Sequence, residues 1–329
     1  MDTGTHVVMG IALGGLATLD PNVAGNPTMQ SAVMIAAIVG SQAPDFDTVL
    51  KLRNNAVYIR NHRGITHSLP ALLAWPVLLT AGITLFMPGI NWFTIFLWSL
   101  LAVVLHVFVD IFNAYGTQAL RPISNRWIAL GVINIFDPFI FFMHLGAIAM
   151  WALGTTPGLT FLLLYFVLIL YYIWRIYEKQ KVVKHARRLH PNASHIFVSP
   201  TIRWNQFHLV IRTPTTLYVA ESRDNHINFF EKYSFDPIPD DPVINAARKD
   251  KNLAAFLSFS PTYRWEVEVK EDDITEVRFV DLRYRSKGHY PFVAIVQLDD
   301  DLNILTSYTG WVFSEETLQK KLNFMEEQT

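Results

Sequence analysis

Residues 69–112 read LPALLAWPVLLTAGITLFM-PGIN-WFTIFLWSLLAVVLHVFVDIF, and this stretch decides the fold of the N-terminal half. Residues 69–87 and 92–112 are each long enough to cross the roughly 30 Å hydrocarbon core of a bilayer as helices. The turn between them, Pro-Gly-Ile-Asn, carries no charge. The pattern therefore predicts a membrane hairpin.

Further apolar runs occupy the rest of this half. Residues 133–153 and 159–174 predict a second hairpin, joined by an uncharged turn. Residues 7–19 and 31–43 are also apolar, but they are shorter than a standard span. We therefore predict an α-helical membrane domain with four long spans plus two shorter apolar N-terminal helices.

The composition agrees with a membrane chain and excludes several function classes. Of the 329 residues, 51% are hydrophobic and 17% are charged, whereas soluble proteins carry about 25% charged residues. The net charge of -1 predicts no nucleic-acid partner, because such a partner requires a basic face. There is no cysteine, so any metal must be held by histidines and carboxylates. The N-terminus lacks a basic signal-peptide region, and we expect it to be retained.

The basic residues before residue 190 indicate the orientation in the membrane. They fall in three places, all on the same side of the two predicted hairpins, which the positive-inside rule assigns to the cytoplasm. We predict a multi-pass protein of the bacterial cytoplasmic membrane with its C-terminal domain in the cytoplasm. The basic residues are Lys51, Arg53, Arg60 and Arg63, then Arg121 and Arg126, then the run at 175–188.

The character of the chain changes near residue 190. Short segments rich in Val, Ile, Phe and Tyr follow, separated by Pro, Asn and Asp, as is typical of strands. We predict a soluble β-rich domain at 190–329, after a helical membrane-embedded domain at 1–175 and a basic linker helix at 176–189. No Gly-rich nucleotide loop is present. The predicted strands include 206–213, 216–221, 274–283, 292–298 and 302–308.

The strongest chemical signal is the pair His106 and Asp110 within the second apolar run. Their i,i+4 spacing places both side chains on one face of a helix, where they can share one metal ion. The alternative is a buried histidine that only hydrogen-bonds to the aspartate. Ionisable groups inside membrane spans are energetically costly and usually mark functional sites. This favours a metal site over a simple hydrogen bond between the two side chains.

A second cluster, Asn-His-Arg-Gly-Ile-Thr-His-Ser, precedes the first long span. His62 and His67 lie on either side of Gly64, which allows a tight turn, so both rings can reach one centre. Arg63 offers a planar fork suited to a phosphate. The alternative for this cluster is a set of interfacial polar residues without a common ligand.

Four more candidates lie at the cytoplasmic ends of the predicted segments. Asp45 and Asp47 follow the second apolar segment, His6 begins the first one, and Asp137 precedes a later span. Acidic turns are otherwise helix caps. Imidazole and carboxylate ligands suit Zn²⁺, and Mn²⁺ or Fe²⁺ with more oxygen ligands. We predict one to three divalent ions, with a bridging Asp between two, held by His6, Asp45, Asp47, His62, His67, His106, Asp110 and Asp137.

These motifs together resemble the bacterial inner-membrane metal-dependent hydrolases of the YdjM-like family over about the first half of the chain. They are His6, Pro-Asp45-Phe-Asp47, His62-Arg-Gly-Ile-Thr-His67-Ser, and His106-xxx-Asp110 followed by Tyr-Gly-Thr. Their order is also distantly similar to that of zinc-dependent phospholipase C and the P1-type nucleases, which implies phosphoester hydrolysis. The chain lacks a later His-xxx-Glu pair, so the resemblance does not extend to a full three-metal site.

The expected function is a membrane-bound hydrolase in which water activated by the metal attacks a phosphoester, a lipid or lipid-linked phosphate, at the cytoplasmic face. Arg63 is the expected phosphate clamp, and His6 is a ligand or a proton relay. Membrane lipids are the expected partners. The sequence does not indicate which protein, if any, binds the C-terminal domain. The alternative is a non-catalytic membrane regulator or sensor with a structural metal. A transporter is disfavoured, because transport sites lie near the midplane.

Overall fold

The computed structural model describes residues 1–52, 55–270, 274–286 and 288–326. The basic residue Arg53, used above for the orientation, lies outside the described residues. The chain divides into two compact units. The first unit contains Met1–Asp47, His62–Gln180 and Ser199–Trp204, and the second contains Thr48–Asn61, Lys181–Val198 and Asn205–Thr329.

The first unit is helical, as the apolar runs predict. Three 3-10 segments, Ala17–Leu19, Ala43–Leu52 and Ile65–His67, interrupt the α-helices in the N-terminal part of the described chain. The helices of the whole chain are α1 (Thr3–Leu16), α2 (Pro27–Gly40), α3 (Asn55–Asn61), α4 (Leu69–Phe86), α5 (Trp92–Ile111), α6 (Pro138–Ala152), α7 (Pro157–Leu189), α8 (Pro242–Ala247), α9 (Lys251–Phe259) and α10 (Glu315–Glu326).

Polar caps and prolines set where these helices begin. The side chain of Asp2 accepts a hydrogen bond from the amide of Thr5 at the start of α1, and Asn26 caps α2 in the same way. Asn91 accepts from two amides at the start of α5. Such caps satisfy amide groups that have no partner within the helix. The polar turn residues therefore fix the helix boundaries that the hydrophobic pattern only approximates.

Three helices among the described residues, α4, α5 and α7, are long and apolar enough to cross a membrane. The two shorter N-terminal helices, α1 and α2, are confirmed, but a fourth long span is not. Helix α6 has 15 residues and begins at Pro138 rather than near residue 133. Asp137 caps its first amides, while the amides of Val132 and Ile133 bond to the carbonyl of Phe112. The apolar run before Pro138 is therefore irregular chain with bends and not helix.

Small residues allow α1, α2 and α5 to pack closely. A side chain at Gly10 would come within 2.4 Å of Ser41 Oγ and 2.7 Å of the backbone of Ile38. At Gly40 an added carbon would lie 3.0 Å from the side chain of Ala102. Small residues at helix interfaces are typical of membrane proteins, where close backbone approach replaces the hydrophobic driving force. This packing brings the start of α1, the end of α2 and the last turns of α5 together.

The second unit confirms the predicted β-rich character and adds helices to it. It holds two four-stranded sheets, with strand orders β1-β2-β3-β4 and β5-β6-β7-β8, and the ladders β2-β3, β3-β4, β5-β6, β6-β7 and β7-β8 are antiparallel. The strands are β1 (His195–Pro200), β2 (Gln206–Arg212), β3 (Thr216–Arg223), β4 (His226–Ser234), β5 (Tyr263–Val269), β6 (Thr275–Asp281), β7 (Phe292–Leu298) and β8 (Ile304–Trp311).

Helices cover both faces of the second sheet. On one face α9 and α3 pack against β6 and β7, with Ile59 and Phe256 in the same buried cluster as Phe279. On the other face α10 packs through Leu318 against Ile295. Because β7 is covered on both sides, its side chains are apolar almost without alternation. The segment 48–61, which lies early in the sequence, is thus part of the core of this C-terminal unit.

Candidate metal centre

Four predicted ligands converge in the first unit. His106 and Asp110 lie one turn apart on α5, Asp45 lies in the 3-10 segment after α2, and His67 ends the short 3-10 turn before α4. One ligand atom from each residue lies within 4.8 Å of the others. Three of the four residues have no solvent exposure, namely His67, His106 and Asp110. The i,i+4 pair on α5 is the helical part of this group.

The distances between these atoms fit a single metal ion. Asp45 Oδ1 lies 3.6 Å from His67 Nε2 and 3.7 Å from His106 Nε2. Asp110 Oδ2 lies 3.6 and 3.8 Å from the same two nitrogens. Ligands at about 2.1 Å from a tetrahedral ion are separated by about 3.4 Å. The four atoms would therefore need to move only slightly to bind one ion.

The hydrogen bonding of these atoms also points to a cation. Asp45 Oδ1, His67 Nε2 and His106 Nε2 are buried and make no hydrogen bond with the part of the chain that the structure describes. A buried polar atom left unpaired costs roughly 1–3 kcal/mol. Asp110 Oδ2 forms an ion pair of 3.1 Å with Nη2 of Arg63. Three converging lone pairs without donors are the arrangement that a metal ion would satisfy.

The second nitrogen of each histidine ring is held by an outer partner. His106 Nδ1 lies 2.6 Å from the carbonyl oxygen of Ser41, so it must donate a proton there. His67 Nδ1 lies 3.1 Å from Thr66 Oγ1, and this hydroxyl in turn donates to Asp47 over 2.7 Å. With Nδ1 as the donor, each Nε2 presents a lone pair to the cluster. Metal-binding histidines are usually oriented by such outer hydrogen bonds.

Asp47 and His62 form a second group with Asp45. One ligand atom from each of these three residues lies within 4.8 Å of the others. Asp47 Oδ1 lies 2.8 Å from His62 Nδ1, and Asp47 Oδ2 accepts from the amide of Arg63 over 3.1 Å. Asp45 belongs to both groups. The arrangement allows a carboxylate shared between two ions.

His6 lies against this cluster but belongs to neither group. Its ring stacks on that of His106, with ring centroids 3.8 Å apart. His6 Nε2 lies 3.4 Å from Asp110 Oδ1, and the amino group of Met1 forms an ion pair with the same carboxylate. Neither ring nitrogen of His6 has a hydrogen-bond partner among the described residues. Its predicted role as a ligand or relay stays a prediction.

Asp137 has a different position and a different set of partners. Its side chain caps α6 by accepting from the amides of Phe139 and Ile140, and it also accepts from the hydroxyl of Tyr171 over 2.8 Å. It belongs to neither ligand group within the described ranges. The structure thus brings the other aspartates together with the histidines and leaves Asp137 at a helix start.

Arg63 combines an unusual backbone with unpaired donors. Its φ is 59°, in the left-handed region that residues other than glycine seldom adopt. The side chain is buried, and Nη2 contacts Asp110 and the carbonyl of Met1. Nε and Nη1 are buried without a hydrogen-bond partner in the described chain. The Arg63 guanidinium thus offers two N–H donors next to the candidate metal ligands. This arrangement suits an anionic ligand.

The charge states of the cluster fit metal binding. Burial lowers the pKa of His67 well below its usual value, and nearby His106 lowers it further. Burial alone would raise the pKa of Asp45, but His106 and the Arg63 guanidinium outweigh it and hold that pKa well below its usual range. At neutral pH the imidazole is neutral and the carboxylate is ionised. These are the forms that bind a metal.

The structure adds supporting residues that the sequence patterns did not single out. Asn113 Nδ2 lies 3.4 Å from Asp110 Oδ1, and its own Oδ1 accepts from the amides of Tyr115 and Gly116. Gly116 has a φ of 70°, and a side chain there would lie 2.1 Å from the carbonyl of Ile128. Ser41 contributes through its carbonyl, a role that no side-chain pattern reports. The run Asn-Ala-Tyr-Gly-Thr after α5 was a usable signal for Asn113.

Among its described residues, the first unit has three helices that are long and apolar enough to cross a membrane, together with a cluster of histidines and aspartates. These features are those of a membrane protein. Residues 1–182 match the YdjM inner membrane protein family, and the chain belongs to this family. Residues 191–233 match the YfhP middle domain, and residues 242–322 match the YfhP C-terminal alpha/beta plait domain.

One curated relative matches nearly the whole length of the chain. Over 323 residues the chain is 58% identical to the "Uncharacterized protein YfhP" of Bacillus subtilis (strain 168), covering 98% of each chain. No solved structure matches the chain. The family membership supports a membrane protein, and its name assigns no reaction.

Proposed function

We propose that this protein is a membrane-bound metal-dependent hydrolase that acts on a phosphoester, a lipid or lipid-linked phosphate, at the cytoplasmic face. One observation carries the proposal. Buried ligand atoms of Asp45, His67 and His106 converge beside Arg63, and neither these atoms nor Nε and Nη1 of Arg63 have a hydrogen-bond partner in the described part of the chain. A phosphate can coordinate a metal ion and accept hydrogen bonds from a guanidinium at the same time. A metal site next to Arg63 is therefore suited to a phosphate.

The first ion would be held by Asp45, His67, His106 and Asp110. Their two imidazoles and two carboxylates suit Zn²⁺, with Mn²⁺ or Fe²⁺ as the other candidates. Asp47 and His62, together with the shared Asp45, would hold a second ion. A bound divalent metal supplies Lewis acidity to the phosphoryl group and makes water nucleophilic near neutral pH. We propose two ions, within a range of one to three.

Arg63 would orient the phosphate. Its Nε and Nη1 have no acceptor within the described ranges and could donate to a ligand, while Nη2 holds the guanidinium against Asp110. A planar fork binds a phosphate through two parallel hydrogen bonds, which fixes its orientation as well as its charge. His6 lies against Asp110 and His106, and its two ring nitrogens have no hydrogen-bond partner among the residues described. It would act as a further ligand or move a proton between the site and bulk water.

The distant similarity to zinc-dependent phospholipase C and P1-type nucleases supports the same reaction class. The shared feature is the order His, Asp, His, His-xxx-Asp along the chain. No later His-xxx-Glu pair follows in this sequence. Two ions therefore fit the residues better than three.

The proposed face follows from the positive-inside rule, which places the cluster side and the C-terminal domain in the cytoplasm. The cysteine-free sequence allows this topology to be measured directly. A single cysteine at Asn91 or Thr156, in the turns opposite the cluster, should react with an impermeant reagent from outside the cell. Reaction only after permeabilisation would overturn the proposed orientation.

The enzymatic proposal is tested with the full-length protein in detergent micelles. The wild-type protein should contain about two metal ions per chain and should hydrolyse members of a lipid phosphoester panel, and a chelator should abolish turnover. Arg63→Ala should lower kcat/KM on the order of 100-fold, because a charged phosphate contact is lost. Its metal content should stay the same.

Arg121→Ala is the matched control, since Arg121 donates to Gln118 in the nearby loop and does not contact the cluster. Turnover by this variant should equal that of the wild type. A metal-loaded wild type that hydrolyses nothing across the panel would instead support the non-catalytic regulator. Folded protein without metal would contradict both the hydrolase and the structural-metal alternative.

A further inference from the structure

A cavity of about 410 Å³ lies in the first unit between α1, α5, α6 and α7. Its volume falls in the range of small-molecule pockets, roughly 300–1,000 Å³. Its wall is almost entirely aliphatic and aromatic, with Leu105 and Phe108 from α5 and Leu168 and Tyr172 from α7. None of the predicted metal ligands lines it. The cavity is therefore suited to a hydrocarbon and not to a polar molecule.

The cavity contains one unpaired polar atom. His144 lines its wall, and His144 Nδ1 lies 2.7 Å from the carbonyl of Ile140, so this nitrogen carries the proton. The opposite nitrogen, Nε2, is buried and has no hydrogen-bond partner in the residues that the structure describes. A buried acceptor without a donor is costly. It would be satisfied by a ligand that brings one O–H or N–H group into an otherwise apolar pocket.

One side of the cavity is open along helices that are long enough to span a membrane. Phe108 on α5 is 53% exposed, and Ile169 and Ile173 on α7 are each 59% exposed. In a membrane protein such side chains face lipid, so the opening leads to the hydrocarbon region of the bilayer. A lipid chain could enter from there without crossing water.

The cavity borders the metal centre. Met9 in its wall lies three residues from His6 on α1, and Val109 in its wall precedes Asp110 on α5. The hydroxyl of Tyr172 lies 3.9 Å from Sδ of Met1, the residue whose carbonyl accepts from Arg63. A chain bound in the cavity would thus have its polar end close to the cluster.

We propose that this cavity binds the hydrocarbon chain of a lipid whose phosphate headgroup reaches the metal centre, and that His144 accepts a hydrogen bond from a hydroxyl or amide near that chain. The binding site stands on the cavity itself. The assignment of the bound lipid as a substrate rests on the proposed function.

The first experiment measures binding without turnover. Full-length protein in detergent is photolabelled with lysophosphatidic acid, which has a free hydroxyl next to its acyl chain and carries a diazirine in that chain, and the labelled peptides are mapped. Labels should concentrate at 105–112 and 168–176. Ile169→Trp should fill the cavity and lower this labelling at least fivefold. Phe166→Trp is the matched control, because Phe166 is also 59% exposed on α7 but does not line the cavity; its labelling should stay within twofold.

Ile173→Trp is a second blocking variant in case Ile169→Trp fails to fold. An alkanol competitor tests His144: octadecanol should compete for labelling several-fold better than octadecane, and His144→Phe should remove that difference. Labelling spread evenly along α7, or unchanged in both blocking variants, would overturn the proposed site. Equal competition by the two octadecyl compounds would overturn the role of His144.

The second experiment separates this site from the proposed reaction. With palmitoyl lysophosphatidic acid as substrate, Ile169→Trp should raise KM at least tenfold, while turnover of water-soluble p-nitrophenyl phosphate and the metal content should not change. Blocked labelling without hydrolysis of either compound would reject the reaction and keep the lipid site. Hydrolysis of both compounds that is unaffected by Ile169→Trp would reject the lipid site and keep the reaction.

Discussion

Each unit of the protein contains a buried cluster of charged side chains, and the two clusters differ in how their atoms are paired. In the C-terminal unit, Asp281 and Arg283 are both buried, and Arg283 Nε and Nη2 donate to both carboxylate oxygens over 2.7–3.1 Å. In the first unit, Asp45, His67 and His106 direct ligand atoms at one another, and none of these atoms has a hydrogen-bond donor among the residues that the structure describes. The first cluster is satisfied by the protein itself, whereas the second has the arrangement that a cation would satisfy.

A second pair of residues extends the comparison. Glu231 in the C-terminal unit accepts hydrogen bonds from Tyr233 and Tyr290 and pairs with Arg285 over 3.2 Å. It lies beside a polar pocket of about 280 Å³, yet its carboxylate is fully engaged. A concentration of charge in a pocket is therefore weak evidence for a site. Unpaired ligand atoms at metal-like separations are stronger evidence, and the following predictions test that distinction.

The largest effect is expected from His106→Ala. This change removes one metal bond and leaves the opposing carboxylates without their cation, so the bound metal should fall more than tenfold and hydrolysis should be nearly abolished. Elemental analysis of the purified protein measures it. His144→Ala is the matched control, because His144 is also buried in an apolar helix but lies in neither ligand group. Equal metal loss in both variants would contradict the assignment of the centre.

The next largest effect is expected from Asp281→Asn in the C-terminal unit. Breaking a buried ion pair from one side leaves Arg283 with an uncompensated charge, at a cost of about 3–5 kcal/mol. Hydrogen exchange of the β6 and β7 amides in the full-length protein should accelerate accordingly, while metal content should not change. Asp300→Asn, in an exposed turn, should leave exchange as it is. Metal loss on Asp281→Asn would show that this cluster is not purely structural.

A smaller effect is expected from Thr66→Val, which removes the hydroxyl between His67 and Asp47 but keeps the side-chain volume. Loss of an outer hydrogen bond to a ligating histidine weakens metal binding by about 10–100-fold. A metal titration of the stripped protein measures the change. Thr80→Val serves as the control, because the Thr80 hydroxyl is buried on α4 without a hydrogen-bond partner among the described residues. An unchanged affinity in Thr66→Val would remove Asp47 from the supporting network.

The smallest effect is expected from Glu231→Gln. Burial alone would raise the pKa of Glu231, but the hydrogen bonds from Tyr233 and Tyr290 and the charge of Arg285 outweigh it, so this pKa lies below its usual 4.5. A carboxylate with a lowered pKa stabilises the fold above the pKa of the unfolded chain and loses that contribution on acidification.

The wild type should therefore exceed Glu231→Gln in stability by roughly 1 kcal/mol at pH 7, since solvent screening reduces the larger value of a buried charged hydrogen bond. The difference should disappear as the pH falls below about 4.5. Denaturant titrations at several pH values measure it. Glu268→Gln, which alters an exposed pair with Lys270, should show no such dependence. A difference that persists at low pH would contradict the role of the charge.

The sequence predicts those parts of the structure that depend on local spacing. His106 and Asp110 share a helix face because of their i,i+4 spacing, and the apolar run at 92–112 corresponds to one helix. The predicted start of α6 near residue 133 was wrong, because irregular apolar chain before Pro138 has the same hydropathy as helix. The carbonyl of Ser41 as a partner of His106 was also not predictable, since a backbone acceptor leaves no side-chain pattern.

The segment 48–61 has a consequence for how the protein can be divided and recombined. It lies between Asp47 and His62 in the chain, yet its helix α3 packs through Ala56 and Ile59 into the C-terminal core, and Asn55 donates to the carbonyl of Thr309. The two units are thus interleaved in sequence and not joined end to end as exchangeable modules. A chimaera that joins residues 1–182 to a foreign C-terminal domain would retain helix α3. The buried side chains of this helix fit the original C-terminal core. The two halves are therefore expected to have evolved as a matched pair.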